Sequence, residues 1–188
     1  MAFTDDFNRA NEDLEDSADW TLADGSAGAL TIVSNEVNSP GTNTGYHCPD
    51  QGDDDHYAQA KLVKTGANNW LCVRQDGWRN WYGIRASGTA LQIYRRTNGS
   101  FSSSLGSWSG LAAGDVLKIE AEGTTIKAYV NGVERISITD STHTTGRQGL
   151  TAYSGTGAVW DDFEAGVVGG GGGSSAPVLY HHRQMLAL

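Results

Sequence analysis

At 188 residues the chain is long enough for one ordinary domain around a single core. Hydrophobic residues make up 38% of it and alternate in an orderly way, which excludes a disordered chain. Its 22 acidic and 13 basic side chains leave a net charge of −9, with Arg95-Arg96 as the one adjacent basic pair, so a nucleic-acid partner, which needs a clustered basic face, is not expected.

All the acids lie at or before Glu164, so the body carries about −10 and the segment after it, through Arg183, +1. No stretch approaches the ~20 apolar residues of a membrane span, and membrane insertion is not expected. The opening "MAFTDDF" lacks a basic segment followed by an apolar run, so the expectation is synthesis in the host cytoplasm without a signal peptide.

In chain order, "DDFNR" reads as a strand, and "ANEDLED" is the one candidate for a helical turn, short because Leu14 is its sole large apolar residue. "DWTLA", "LTIVSNEV" and "HYAQAKLV" read as further strands, with "QGDDDH" (Asp53 to Asp55) as a solvated loop between them. Cys48 and Cys72 lack C-x-x-C spacing and an oxidising address, so reduced thiols are expected, Cys72 serving as a small strand residue.

Alternation is clearest in the middle. "NWLCVRQDG" sets Leu71, Val73 and Gln75 against Trp70, Cys72 and Arg74. "NWYGIRAS" sets Tyr82, Ile84 and Ala86 against Trp81, Gly83 and Arg85. "ALQIYRRT" sets Leu91 and Ile93 against Gln92, Tyr94 and Arg96. Three half-buried antiparallel strands fit this spacing, and Asn98-Gly99-Ser100 reads as a turn rather than a glycosylation site.

"LKIEAEGTTIKAYVNGVERISITD" then predicts two hairpins, the second through Asn131-Gly132, a dipeptide that tolerates the positive φ angles of a type I′ turn. "RQGLTAYSG" and "AVWDDFEAG" read as two closing strands. Roughly a dozen strands at 8 to 12 residue spacing predict an all-β sandwich.

The opening "DDFNRA", the middle "WYGIRASGTALQIYRRTNGSF", the hairpin "LAAGDVLKIEAEGTTIKAYVNGVE" and the close "GRQGLTAYSGTGAVWDDFEAG" together resemble the concanavalin A-like lectin/glucanase superfamily of jelly-roll, laminin-G-like modules, over about residues 3–166. The resemblance implies two antiparallel sheets packed face to face with the first and last strands adjacent. The division expected is a sandwich domain over 1–167, a Gly/Ser linker over 168–176 and a short apolar segment over 177–188. The layout of the chain also resembles modules of tailed bacteriophages.

Glucanases of this superfamily place carboxylates at E-x-D-x-E spacing, and the nearest stretch here, "KIEAEG", offers Glu120 and Glu122 alone. "GSWSG" has Trp108 where a nucleophile elbow needs serine. His47, His56, His143, His181 and His182 show no metal-ligand spacing, so no catalytic residue is assigned and no enzyme is expected.

Carbohydrate binding is better served, because aromatic rings against sugar C–H faces and Arg or Gln hydrogen bonds to hydroxyls suit a sheet face bearing both. Trp70, Arg74, Trp81, Arg85, Tyr94 and Arg96 fall on one strand parity, with Gln92, and Trp78 lies at the connecting turn beside Arg79. The same face could instead pack as core or be covered by a second subunit, a homo-oligomer. For cofactors, the resemblance implies at most calcium between the first and last strands, with Asp6 and Asp162 as candidate ligands. The alternative is that these are surface acids.

The glycine run Gly169 to Gly173 leads to Val178, Leu179, Tyr180, Met185, Leu186 and Leu188, an apolar group read as an anchor that docks on other virion proteins. The leading expectation is thus a non-enzymatic virion-surface protein, a decoration or tail-associated structural component displaying a lectin-like sandwich towards host or environmental glycans. A free carbohydrate-binding lectin is the alternative, and a glycoside hydrolase ranks third.

Overall fold

The computed structural model describes residues 1–38 and 43–169. The strands are β1 (Phe3–Asp5), β2 (Glu12–Asp13), β3 (Thr21–Leu22), β4 (Thr31–Val33), β5 (Glu36–Asn38), β6 (Thr44–His47), β7 (His56–Asp76), β8 (Asn80–Ser87), β9 (Ala90–Thr97), β10 (Ser100–Phe101), β11 (Gly106–Ser109), β12 (Val116–Glu122), β13 (Thr125–Val130), β14 (Val133–Thr139) and β15 (Arg147–Val167). "ANEDLED" contributes one 3-10 turn, Leu14–Asp16, whose Leu14 is fully buried.

The stretches expected as four separate strands are two. β7 and β15 each run through 21 residues and pair with each other along most of their length. Their N- and C-terminal halves belong to different sheets. The front sheet runs β9, β8, the C-terminal half of β7, the N-terminal half of β15, β6 and β3, with β10 and β11 pairing on β9. The back sheet runs β14, β13, β12, the N-terminal half of β7 and the C-terminal half of β15, which also carries β1 and β5. Gly66 and Gly157 sit at the bend, where a Cβ on Gly66 would run into the Gly157 carbonyl. Only glycine allows the two backbones so close.

The turns are those the dipeptides demand. Asn131 and Gly132 have φ of +51° and +77° and join Val130 to its partner Val133, and Ser34-Asn35 (+56°, +65°) does the same between β4 and β5.

Between the sheets the inward residues of each strand form one core. Leu71, Val73, Tyr82, Ile84, Leu91 and Ile93 enter from the front; Leu62, Leu117, Ile119, Ile126, Trp160 and Phe163 enter from the back. Each of these large side chains contributes roughly 1.5–3 kcal/mol by leaving water. Cys48 and Cys72 are buried free thiols. No helix among the described residues is long and apolar enough to cross a membrane.

Candidate functional site

On the outer face of the front sheet a second apolar cluster forms from Trp70, Cys72 and Trp81, with Tyr94 packed against it. The side chains that the alternation places there meet it for a local reason. Asn98 and Gly99 (φ +51°, +85°) turn β9 into β10, so Phe101 falls opposite Arg96. The Phe101 ring stacks on Trp70 with centroids 5.2 Å apart and meets Trp81 edge-on at 5.7 Å. Tyr153, from β15, stands at 89° to Phe101 at 5.5 Å and stacks on Trp78 at 6.4 Å.

Arg96 is enclosed by this group. Its guanidinium carbon lies 3.7 Å from the Trp78 ring centroid, 4.9 Å from Phe101 and 5.4 Å from Tyr153. It donates to the Trp78 and Gly99 carbonyls, both at 3.1 Å, and Trp81 Nε1 donates to the same Trp78 carbonyl at 2.8 Å. Burial pulls its pKa down to about 10.

Further along the face, Arg85 Nη2 donates to Gln92 Oε1 (2.6 Å) and Tyr94 Oη (3.0 Å), with its guanidinium carbon 4.7 Å from the Tyr94 ring centroid. Gly83 lies between, because a Cβ there would press on Trp81 and on Cys72 Sγ. At the opposite edge Gln75 donates to Thr151 Oγ1 at 2.9 Å.

Exposure separates floor from surface. Trp81 (0%), Trp70 (3%), Arg96 (3%) and Trp78 (7%) are the floor, whereas Phe101 (36%) and Tyr153 (37%) present their rings to solvent. The floor holds buried polar atoms with no partner among the described residues: Trp70 Nε1, Trp78 Nε1, Arg85 Nε, Gln75 Oε1 and His47 Nε2. Such atoms carry a desolvation cost that water or a polar ligand relieves. His47 is held neutral, its pKa lowered to about 4 first by burial and then by the charge of Arg147.

Six of the seven sequence-predicted binding residues therefore share this face: Trp70, Trp78, Trp81, Arg85, Tyr94 and Arg96. Arg74 does not join them. Its φ of +48° makes a bulge that reverses strand parity, bringing Gln75 to the outer face and turning Arg74 away. The Arg74 guanidinium donates instead to the carbonyls of Asp54 (3.1 Å), Gly123 (2.7 Å) and His143 (3.2 Å) and to Asp55 Oδ1 (3.0 Å). His56 supports the bulge: its Nε2 accepts the Arg74 N–H at 3.0 Å while Nδ1 lies 2.7 Å from the Asp53 carbonyl, which puts the ring proton on Nδ1.

The acidic loop is solvated as expected, with Asp53 and Asp54 exposed, and it also holds neighbouring backbone. Asp55 also accepts the Gly123 N–H (2.8 Å) and Asp54 that of Gly146 (3.2 Å), beside a depression of about 340 Å³ bordered by Asp50, Asp53 and Arg147.

For calcium, the structure brings Asp6 and Asp162 near one another but supplies Lys61 as the cation, 3.3 Å from Asp161 and 3.7 Å from Asp162. Burial and then the neighbouring Asp161 charge push the Asp162 carboxyl up, and Asp6 adds to this. The Asp6 carboxylate accepts from Asn8 N and Nδ2, both at 3.1 Å. Among the described residues no group of three or more His, Cys, Asp or Glu is placed to hold a metal ion.

Glu120 and Glu122 project from the back sheet. Burial pushes the Glu120 carboxyl up, but Lys118 at 2.7 Å, Tyr129 at 3.1 Å and Lys127 outweigh it and leave it below the usual range. Glu122 is paired with Lys127 at 3.0 Å. A carboxylate so held is not kept protonated for acid catalysis. The anchor candidates Val178, Leu179, Tyr180, Met185, Leu186 and Leu188 lie outside the described residues.

No protein-family model matches the chain, and no curated protein matches it in sequence. Solved structures do match in shape. A carbohydrate-binding module, CBM66, from Bacillus subtilis is similar at 22% identity and TM-score 0.56, over 79% of this chain and 92% of that one. A prokaryotic β-1,3-1,4-glucanase (lichenase) derived from a mouse hindgut metagenome is similar at 15% identity and TM-score 0.59, over 89% and 100%. A Bacillus subtilis protein of unknown function with a galectin-like fold is similar at 10% identity and TM-score 0.58, over 87% and 94%. The chain thus has the concanavalin-like jelly-roll fold, two antiparallel sheets packed face to face, that its sequence resembles.

Proposed function

We propose that the protein is a non-catalytic carbohydrate-binding module whose ligand lies on the outer face of the front sheet. The observation that carries this reading is the exposed, mutually perpendicular pair Phe101 and Tyr153 above the Trp70, Trp78, Trp81 and Arg96 floor. Two rings at right angles offer an apolar surface to one sugar face and an edge to the next, while the exposed Arg79 and half-buried Arg85 offer donors beside them to hydroxyls. The fold shared with a carbohydrate-binding module favours the reading. The tied carboxylates of the back sheet favour binding over hydrolysis.

The test is affinity electrophoresis through gels containing soluble polysaccharides. Phe101→Ala with Tyr153→Ala should abolish retardation while far-UV circular dichroism and melting stay close to the parent. Unchanged retardation of the double variant overturns the assignment of this face. Trp81 is not a usable probe, because a side chain with no exposure cannot be truncated without damaging the sheet.

The particle-anchored role rests on residues beyond Gly169.

A further inference from the structure

Resting on the carbohydrate-binding reading, we propose that the ligand of this face is an acidic glycan, a polymer of carboxylate-bearing (uronic acid) sugars drawn to Arg79, Arg85 and Arg96. Acids outnumber bases 22 to 13 in the chain, so a carboxylate partner is easily found. Arg9, Lys61, Arg74, Arg95, Lys118 and Lys127 each have one. Six cations have none among the described residues, namely Lys64, Arg79, Arg85, Arg96, Arg135 and Arg147, and three of them, Arg79, Arg85 and Arg96, gather on or beside the one face that carries the exposed rings. Asp24, whose carbonyl accepts the Trp78 N–H, and Asp76, whose charge like that of Asp24 acts on His47, form no ion pair with any of the three.

The chemistry of each arginine points the same way. Arg96 keeps its charge among three aromatic rings with only two carbonyls to receive its protons, and burial lowers its pKa accordingly. Arg85 spends Nη2 on Gln92 and Tyr94, both neutral, while its buried Nε is unpartnered. Arg79 is exposed at the turn beside Arg96, close enough for their charges to repel.

A neutral sugar would satisfy hydrogen bonds here but leave the buried Arg96 and the half-buried Arg85 without a counter-charge. A carboxylate supplies both the charge and an acceptor geometry that matches a guanidinium fork. With a net charge of −9 the chain as a whole disfavours polyanions, so affinity for one needs a local cationic patch such as this.

The experiment measures affinity electrophoresis of the full chain on polygalacturonate, alginate and hyaluronan, each beside its carboxyl-reduced form, and on dextran sulfate. At least one polyuronate should bind roughly tenfold tighter than its reduced form at low salt, the ratio shrinking towards one at about 0.5 M NaCl. Arg79→Gln with Arg85→Gln should bring the low-salt ratio towards one. Equal binding of native and reduced polymers overturns the acidic-ligand proposal and leaves the carbohydrate reading standing. Binding to dextran sulfate with none to the polyuronates overturns it in favour of sulfate. No binding to any polymer overturns it together with the carbohydrate reading on which it rests.

Discussion

The Arg96 guanidinium lies 3.7 Å over the Trp78 ring, and its floor position makes it a packing group as much as a charge. Methionine at 96 fills the same volume without a buried cation, so Arg96→Met should leave stability within about 1 kcal/mol of the parent. Arg96→Ala removes the filler between three rings and should cost roughly 2–4 kcal/mol by the usual large-to-small penalty. Urea unfolding followed by tryptophan fluorescence separates the two. Equal losses would show that the charge itself, rather than the packing, holds the floor together.

Gly66 and Gly157 cross where both long strands pass from one sheet to the other. Alanine at Gly66 meets the Gly157 backbone, which has no flexible end to move aside. Gly66→Ala should therefore cost more than about 3 kcal/mol, in the range of severe overpacking. Gly88 is the control: its φ is +59° but nothing lies within 4 Å of a Cβ there, so Gly88→Ala should cost only about 1 kcal/mol of backbone strain. Matching losses at the two sites would mean that the crossing is looser than the structure shows.

Acid should destabilise the fold well before its carboxylates titrate. His47, His56 and His143 all have folded-state pKa values lowered from 6.5, in each case first by burial, that of His47 to about 4. Below pH 6.5 the unfolded chain takes up protons that the folded one refuses, so stability falls from about pH 6.5 down through the folded-state values. Asp140, lowered to about 2 because hydrogen bonds from Tyr82 and Thr142 outweigh its burial, contributes stability above its unfolded value near 3.8 and loses it only as pH falls towards 2. Melting temperature measured from pH 7 to 4.5 should drop steadily. Replacing one histidine of the three, His47→Gln, should make that slope shallower without abolishing it. A melting temperature flat across this range would contradict the neutral burial of all three.

Removal of residues 170–188 should leave the melting temperature unchanged, because β15 ends at Val167 and Val168 N still donates to the Asp55 carbonyl at 2.8 Å. If the apolar segment over 177–188 is an anchor on a larger assembly, the full chain should co-sediment with the particulate fraction of its source, and residues 1–169 should remain in the supernatant. Both species staying in the supernatant would remove the anchor role.

Alternation and turn chemistry made most of the fold legible before any coordinates. The Asn131-Gly132 hairpin, the core parity of Leu71, Ile84 and Ile93 and the aromatic parity of Trp70, Trp81 and Tyr94 follow from residue type and spacing. Three things did not follow. A bulge shifts parity by one residue, and nothing in "CVRQD" announces that Arg74 takes a positive φ, since the reason is His56, eighteen positions earlier in the chain. Phe101 hides in a serine-rich stretch that reads as loop, yet a two-residue turn at Asn98-Gly99 fixes Thr97 opposite Ser100 and hence Arg96 opposite Phe101. Carrying the turn register one pair further would have found it. Tyr153 belongs to the face because β15 pairs with β7, a long-range relationship that local pattern cannot supply.

Phe3 pairs with Ala165, so the two ends of the folded body leave from neighbouring strands on the same sheet. A unit with adjacent entry and exit can be spliced into a surface loop of another protein, or have its ends joined and be reopened elsewhere, with little distortion of the host or itself. The sandwich is in that sense a portable cassette, whose outer face can be moved between carriers without redesigning either.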